Sequence, residues 1–453
     1  MAKSLLLDKS FLKPLVTLSL PIAMQNLINT TLNAIDSVMI GSLGSDAIAA
    51  VGFANQIFMI LSTMLFGVCT ACCIFISQFY GKQDGENIKK SVALNLVGVI
   101  LFSTIFTILV ALFPRNLMRF FTTDTDVIRL SCDYLVVIVI SYIPMAISFA
   151  LSSSMRAITK SHIPLFVSVI AIFINSFFNY MFIFGKFGAP ALGVRGAAIG
   201  TVIARGFEFV TLVTITYTRL EQIQAKFRHL LAVTPEFLKK FLKTTAPVII
   251  NESMWSIGTA AYSAIFGRLS TDAVAAINIT KVLENMLLVF FQGVGSAAGI
   301  MVGRKIGEGN NHDAMRYARA FTFLVPVSCV AISGVMLLLR PAFLSVYHVD
   351  ASIKLLTAQL IVITACVMPF KALNYVHIVG TLRSGGDTVV CLLIDVMGVW
   401  LISLPLSFVT GIVLGMDIRV VYFCSLAEEI VKSFIVLFRL RNQNWIKNLV
   451  HDM

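Results

Sequence analysis

Residues 21–52 read PIAMQNLINTTLNAIDSVMIGSLGSDAIAAVG, and residues 247–278 read PVIINESMWSIGTAAYSAIFGRLSTDAVAAIN. The offset between the two stretches is a constant 226 residues. Pro21 falls on Pro247, Gly41 on Gly267, Leu43 on Leu269, Asp46 on Asp272 and Ala49-Ala50 on Ala275-Ala276. The offset holds downstream, where Gly67 falls on Gly293 and Gly81 on Gly307. It drifts by one at Met155-Arg156, which falls on Leu382-Arg383. The chain is therefore a duplication. A helix needs about 20 apolar residues to cross a hydrocarbon core. Working outward from the repeat, runs of that length occur at 14–39, 50–78, 91–113, 133–155, 163–185 and 196–218 in the first copy. They recur at 245–267, 274–303, 318–339, 356–380, 388–410 and 417–438 in the second. The runs are too long for barrel strands and lack period-2 alternation.

The fold class follows: an all-α membrane protein of twelve transmembrane helices in two six-helix lobes. An even number of spans gives both lobes the same orientation, so a pseudo-two-fold axis along the membrane normal relates them. The expected boundaries are 1–218 for the N-lobe, 219–244 for a basic cytoplasmic linker, and 245–453 for the C-lobe with its cytoplasmic tail. Paired halves enclosing a midplane site are a transporter architecture.

Composition agrees. Of the 453 residues, 58 % are hydrophobic and only 13 % charged, 35 are Phe, and the mean hydropathy is +0.89. A water-soluble fold cannot hide that much apolar surface. A soluble enzyme, a disordered tail, a collagen and a coiled coil are excluded. The net charge of +12 reads as topology. With both termini placed in the cytoplasm, 23 of the 35 Lys and Arg residues fall on that side, nine on the other, and Arg205, Lys281 and Lys371 inside spans. The cytoplasmic set includes Lys3 near the N-terminus, Arg383, and Lys432 in the C-terminal stretch. This asymmetry is the positive-inside pattern, and it requires no nucleic acid or other anionic partner. No cleavable signal peptide is visible. Six of the eight Cys lie inside apolar runs and Cys132 and Cys424 near run ends, which fits small buried residues. Cys69-x-x-Cys72-Cys73 lacks the second Cys/His pair that a metal site requires.

Ionisable groups at bilayer depth are costly and persist where they pair or line a cavity. The candidates are Asp36, Glu252, Lys371 and Asp395. Arg205 with Glu208, and Lys281 with Glu284, are spaced to neutralise each other across a helical turn. Asp36 has no basic residue within a turn of it. A lone buried carboxylate favours a bound proton or small cation. The plain alternative is a water-exposed helix end, since Gly41 and Gly44 follow. Prolines at 21, 144, 247, 326, 369 and 405 can kink their spans. Pro21 and Pro247 occupy one repeat position, where a paired kink suits a hinge.

The residues resemble a known family. Ile35-Asp36-Ser37-Val38-Met39-Ile40-Gly41 with Leu43-Gly44 and Ala49-Ala50-Val51-Gly52 is one element. Asn175-x-x-x-Asn179-Tyr180 running on to Phe182-Ile183-Phe184-Gly185 is another. Leu192-Gly193-Val194-x-Gly196-Ala197-Ala198-Ile199-Gly200-Thr201 and Leu382-Arg383-Ser384-Gly385-Gly386-Asp387-Thr388 complete the set. Their order, with the six-plus-six repeat, is similar to that of multidrug and toxic compound extrusion (MATE) transporters over about residues 13–440.

The resemblance implies cation-driven antiport by alternating access, in which Na⁺ or H⁺ enters one lobe while an organic, usually cationic and amphipathic, substrate leaves. It implies a coupling site at Asp36, Asn175, Asn179 and Thr201. No other cofactor or metal is implied. One carboxylate with amide and hydroxyl oxygens is a hard-oxygen set suited to Na⁺, and spacing four puts both Asn residues on one helix face. The sequence departs from relatives in two ways. An aspartate found in some of them is Asn179 here. The C-lobe cavity carries Glu252, Lys371 and Asp395, and a lysine there cannot bind Na⁺; it can neutralise Glu252 or Asp395, or repel cationic substrate from that lobe. His377 reads as an ordinary hydrogen-bonded histidine. Phe173, Phe177 and Phe178 flank the proposed site and are candidates for the substrate wall.

The leading expectation is a monomeric, multi-pass exporter of small organic compounds in a bacterial plasma membrane, surrounded by lipid. The alternative is a lipid-linked precursor flippase of the same broad superfamily, disfavoured by the few basic residues inside spans. A channel lacks a filter-like segment, and an enzyme lacks any nucleophile–base set, phosphate loop or metal motif.

Overall fold

The computed structural model describes residues 9–345, 347 and 349–451; Lys3, with the rest of the first eight residues, lies outside the described residues. Among them the chain forms twelve long helices and no strand. The first six are α1 (Lys9–Gly41), α2 (Ser45–Lys82), α3 (Gly85–Leu112), α4 (Thr125–Ala157, with a 3₁₀ turn at Val139–Ser141), α5 (His162–Phe184) and α6 (Val194–Arg219). The next six are α7 (Pro235–Gly267), α8 (Thr271–Gly307), α9 (Asn311–Ser345), α10 (Ala351–Leu382), α11 (Thr388–Val413) and α12 (Ile418–Arg441).

Ten of these helices are long and apolar enough to cross a membrane. The exceptions, α7 and α12, are diluted by polar residues: Asn251 and Glu252 on α7, and Glu428, Glu429 and Lys432 on α12. In hydrocarbon a helix is favoured because it satisfies its own backbone. Its first turn still needs a side-chain acceptor. Asp84 caps α3 by accepting from Asn87 N at 3.1 Å, Asp124 caps α4 by accepting from Asp126 N at 2.9 Å, and Ser270 caps α8 by accepting from Ala273 N at 3.0 Å. Large apolar side chains stay on the outside, with Leu338 81 % and Phe434 68 % exposed. Such a surface is stable against lipid and not against water.

Two compact units result. One runs from Met24 to Lys239. The other comprises the chain from Lys240 onward together with the first part of α1, up to Ala23. Its core joins Phe11, Leu15 and Leu18 of α1 to Phe291 and Val294 of α8, Phe321 and Val325 of α9, and Met368 and Ala372 of α10. The division inside α1 comes two residues after Pro21.

The repeat extends past the sixth helix of each half. α6 ends at Arg219 and is followed by a 3₁₀ turn, Glu221–Ile223, that buries Ile223 completely. α12 ends at Arg441 and is followed by Gln443–Trp445, which buries Trp445 completely. Beside Trp445, the fully buried Asp387 carboxylate accepts from Arg439 Nε at 2.8 Å and Lys447 Nζ at 2.6 Å. The C-terminal helices also contain wide π turns, at Val376–Leu382 in α10 and at Gly398–Ser403 and Val409–Val413 in α11. A π turn accommodates one extra residue. The repeat offset drifts by one at Leu382-Arg383, where the π turn of α10 ends.

Candidate functional site

In the unit from Met24 to Lys239, α1, α5 and α6 bring Asp36, Asn175, Asn179 and Thr201 into one hydrogen-bonded set. Asn179 donates through Nδ2 to Asp36 Oδ1 at 2.7 Å and to Asn175 Oδ1 at 3.1 Å. Asn175 donates to Thr201 Oγ1 at 3.2 Å, and Thr201 donates to the Ala197 carbonyl at 3.0 Å. Spacing four on α5 stacks the two amides, and both are buried. The close approach of α6 depends on Gly200, where a Cβ would run into Asn179 Oδ1 and lie 2.9 Å from Asn179 N. Asn179 Oδ1 is itself buried and accepts no hydrogen bond among the described residues.

A second polar chain lies beside this set. Arg205, one turn past Thr201, pairs with Glu208 at 2.9 Å, as its spacing predicts. Glu208 Oε1 also accepts from Ser168 Oγ at 3.2 Å, Ser168 Oγ accepts from Gln25 Nε2 at 3.0 Å, and Gln25 Oε1 accepts from Arg156 Nη1 at 3.2 Å. Gln25 and Ser168 are uncharged residues within apolar runs, so hydropathy gives no signal for them. The aromatic trio is placed differently from the amides. Phe173 and Phe177 are 71 % and 49 % exposed, on the side of α5 away from Asn175 and Asn179. Phe178 stacks on Phe182 with ring centroids 6.0 Å apart.

In the other unit, Glu252, Lys371 and Asp395 do not meet; each has its own partner. Glu252 pairs with Arg383 at 2.7 Å, Lys371 with Glu284, and Asp395 with Lys432 at 3.2 Å. Neutralisation of Glu252 or Asp395 by Lys371 is thereby corrected: the ammonium of α10 reaches α8 instead. The expected Lys281–Glu284 pair is corrected for the same reason, because Lys371 takes the Glu284 carboxylate. Arg383 and Lys432 are not loop cations. They are 2 % and 3 % exposed, and both belong to buried ion pairs. Glu429 accepts from the Asn374 amide at 2.8 Å. His377 is buried between Thr322 at 3.0 Å and Thr381 at 3.3 Å, the hydrogen-bonded histidine expected from sequence. Cys72 and Cys73 spend their thiols on the Ser91 and Ser153 carbonyls at 3.2 and 3.3 Å.

The MatE family model matches residues 21–181 and again 247–409, two matches that begin at the paired prolines of the repeat. A protein of Thermotoga maritima named "Probable multidrug resistance protein NorM" is 26 % identical over 97 % of this chain and 94 % of its own length. The "Uncharacterized transporter YisQ" of Bacillus subtilis is 24 % identical over 97 % of this chain and 96 % of its own. Among solved structures, the MATE transporter VcmN of Vibrio cholerae in its bent form aligns with a TM-score of 0.87 at 19 % identity. The alignment covers 97 % of this chain and 99 % of that one.

Proposed function

The chain belongs to the MatE family of membrane transporters, and from that premise we propose that it is a secondary-active antiporter that exports organic, cationic amphipathic compounds in exchange for Na⁺ or H⁺ held at Asp36. One observation carries the reading. Asp36 is a carboxylate inside the bundle whose close partner is an amide, Asn179, and not a cation. Every other acid named in the site description has a Lys, an Arg or, for Glu429, an amide committed to it. An uncompensated carboxylate in low dielectric is stabilised by binding a positive charge.

The neighbouring atoms fit such a charge. Asp36, Asn175, Asn179 and Thr201 supply carboxylate, amide and hydroxyl oxygens, the donor types of a hard monovalent cation. Among the described residues the buried Asn179 Oδ1 is an acceptor without a donor. In this reading Asn179 fixes the Asp36 carboxylate, Asn175 holds Asn179 in register, and Thr201 closes the set from α6. A bound ion supplies the charge that lets the carboxylate stay dry, and its release to the other side of the membrane is the downhill step. Both termini face the cytoplasm in this proposal, following the Lys and Arg asymmetry. An anionic, lipid-linked substrate is disfavoured: Arg205, Lys371, Arg383 and Lys432 are each paired with a carboxylate, which leaves Lys281 as the in-span lysine without an ion pair among the described residues.

The test is transport by the reconstituted chain. A fluorescent organic cation is followed in proteoliposomes under a Na⁺ gradient alone and a pH gradient alone. The expected result is uphill movement under one gradient, lost in Asp36→Asn with the protein still folded. Normal gradient-driven transport by Asp36→Asn overturns the assignment.

A further inference from the structure

We propose that Lys432 is a built-in cation: its ammonium fills a carboxylate site in the unit from Lys240 onward that would otherwise take a free monovalent cation. The site is assembled by three helices. α11 contributes Asp395, whose Oδ1 lies 3.2 Å from Lys432 Nζ. α12 contributes Glu428, one turn before Lys432, with Oε2 at 3.5 Å. α7 contributes Asn251, which donates to the second Asp395 oxygen at 2.9 Å and so aims the first at the ammonium. The Lys432 stem enters because residue 398 is glycine, at the start of a π turn in α11; a Cβ there would overlap Lys432 Cε and press on its Cδ and Cγ at 3.2 Å. Lys432 is 3 % and Glu428 6 % exposed.

Two features mark this as an ion site and not a simple salt bridge. Two carboxylates converge on one ammonium, the one cation within ion-pair distance of both among the described residues. Among the described residues Glu428 Oε2 accepts no hydrogen bond; it meets the ammonium at ion-pair distance only. Taking the ammonium away leaves two carboxylate oxygens facing a cavity of about four side-chain atoms, with an amide behind. That is an oxygen set for a small monovalent cation. Two further acids of the unit are held in the same manner, Glu252 by Arg383 and Glu284 by Lys371, while Glu429 accepts from the Asn374 amide. At these four cation-paired acids the unit carries its counter-ions as side chains, and exchangeable ions load elsewhere. The assignment concerns α7, α11 and α12 and does not depend on Asp36 being the coupling residue.

The test is cation rescue of Lys432→Ala, read as the melting temperature of the purified full chain. All measurements are made in the Asp36→Asn background, which removes any contribution from the proposed coupling site. In choline chloride, whose cation is too large for the cavity, Lys432→Ala is expected to melt below its parent. Sodium, ammonium or methylammonium chloride at equal ionic strength should raise it saturably by at least about 2 °C, and should leave the parent unchanged. Adding Asp395→Asn should abolish the rescue. Absence of rescue by all three cations, or rescue that survives Asp395→Asn, overturns the proposal. If Lys432→Ala does not fold, Lys432→Gln keeps most of the stem volume, and saturable binding of radiolabelled sodium to it gives the same decision.

Discussion

Asn179 holds more of the account than any other side chain. It donates both to Asp36 and to Asn175, and its oxygen has no donor among the described residues. Asn179→Ala removes the hydrogen bond that orients the carboxylate. A hydrogen bond to a charged group is worth about 1.5–3 kcal/mol. Binding of the coupling ion should therefore weaken by roughly 10- to 100-fold, measured as a rise in the half-saturating ion concentration for transport. An unchanged ion dependence would remove Asn179 from the site. At this scale the sequence was informative where residues share a helix and silent where they do not. Asn175 and Asn179 are four apart, so their shared face is legible. Asn251 finds Asp395 across 144 residues and Arg383 finds Glu252 across 131. Spacing carries no information about such pairs. Hydropathy scores Lys432 as a topological charge because it sees the ammonium and not the two carboxylates around it.

Helix number and extent were legible because each span is a long apolar run and the duplication supplies a second reading of every helix. The irregular elements were not. The π turns of α10 and α11 leave a trace in sequence only as the one-residue drift of the repeat. The turn after α12 is a three-residue element, Gln443–Trp445, in a polar stretch that reads as tail. Its burial says otherwise: Trp445 is fully enclosed, and Lys447 and Arg439 hold Asp387 beside it. Trp445→Ala should cost about 3–5 kcal/mol, as for other large core truncations. The melting temperature of the purified chain should fall by several degrees. Phe120→Ala, at a residue 87 % exposed, should not lower it comparably. Equal melting temperatures for wild type and Trp445→Ala would show that the segment is an appendage.

Across the whole chain the two units differ in how they balance charge. The unit from Met24 to Lys239 leaves Asp36 with an amide. The unit from Lys240 onward pairs Glu252, Glu284, Asp395 and Glu428 with lysine or arginine, and holds Glu429 through the Asn374 amide. Duplication produced two similar helical frames, and the polar residues within them have diverged. That asymmetry predicts an exchangeable ion site at Asp36 and none at the four acids paired with lysine or arginine. Antiport is reciprocal by thermodynamic necessity: if an ion gradient moves substrate, a substrate gradient must move the ion the opposite way. The decisive measurement uses proteoliposomes with no ion gradient, loaded with an organic cation and diluted into substrate-free buffer, while Na⁺ entry and internal pH are recorded together. In the wild-type protein substrate efflux should draw Na⁺ or H⁺ inward, and Asp36→Asn should abolish this ion movement. Substrate efflux without movement of either ion, or ion entry that persists in Asp36→Asn, would contradict it.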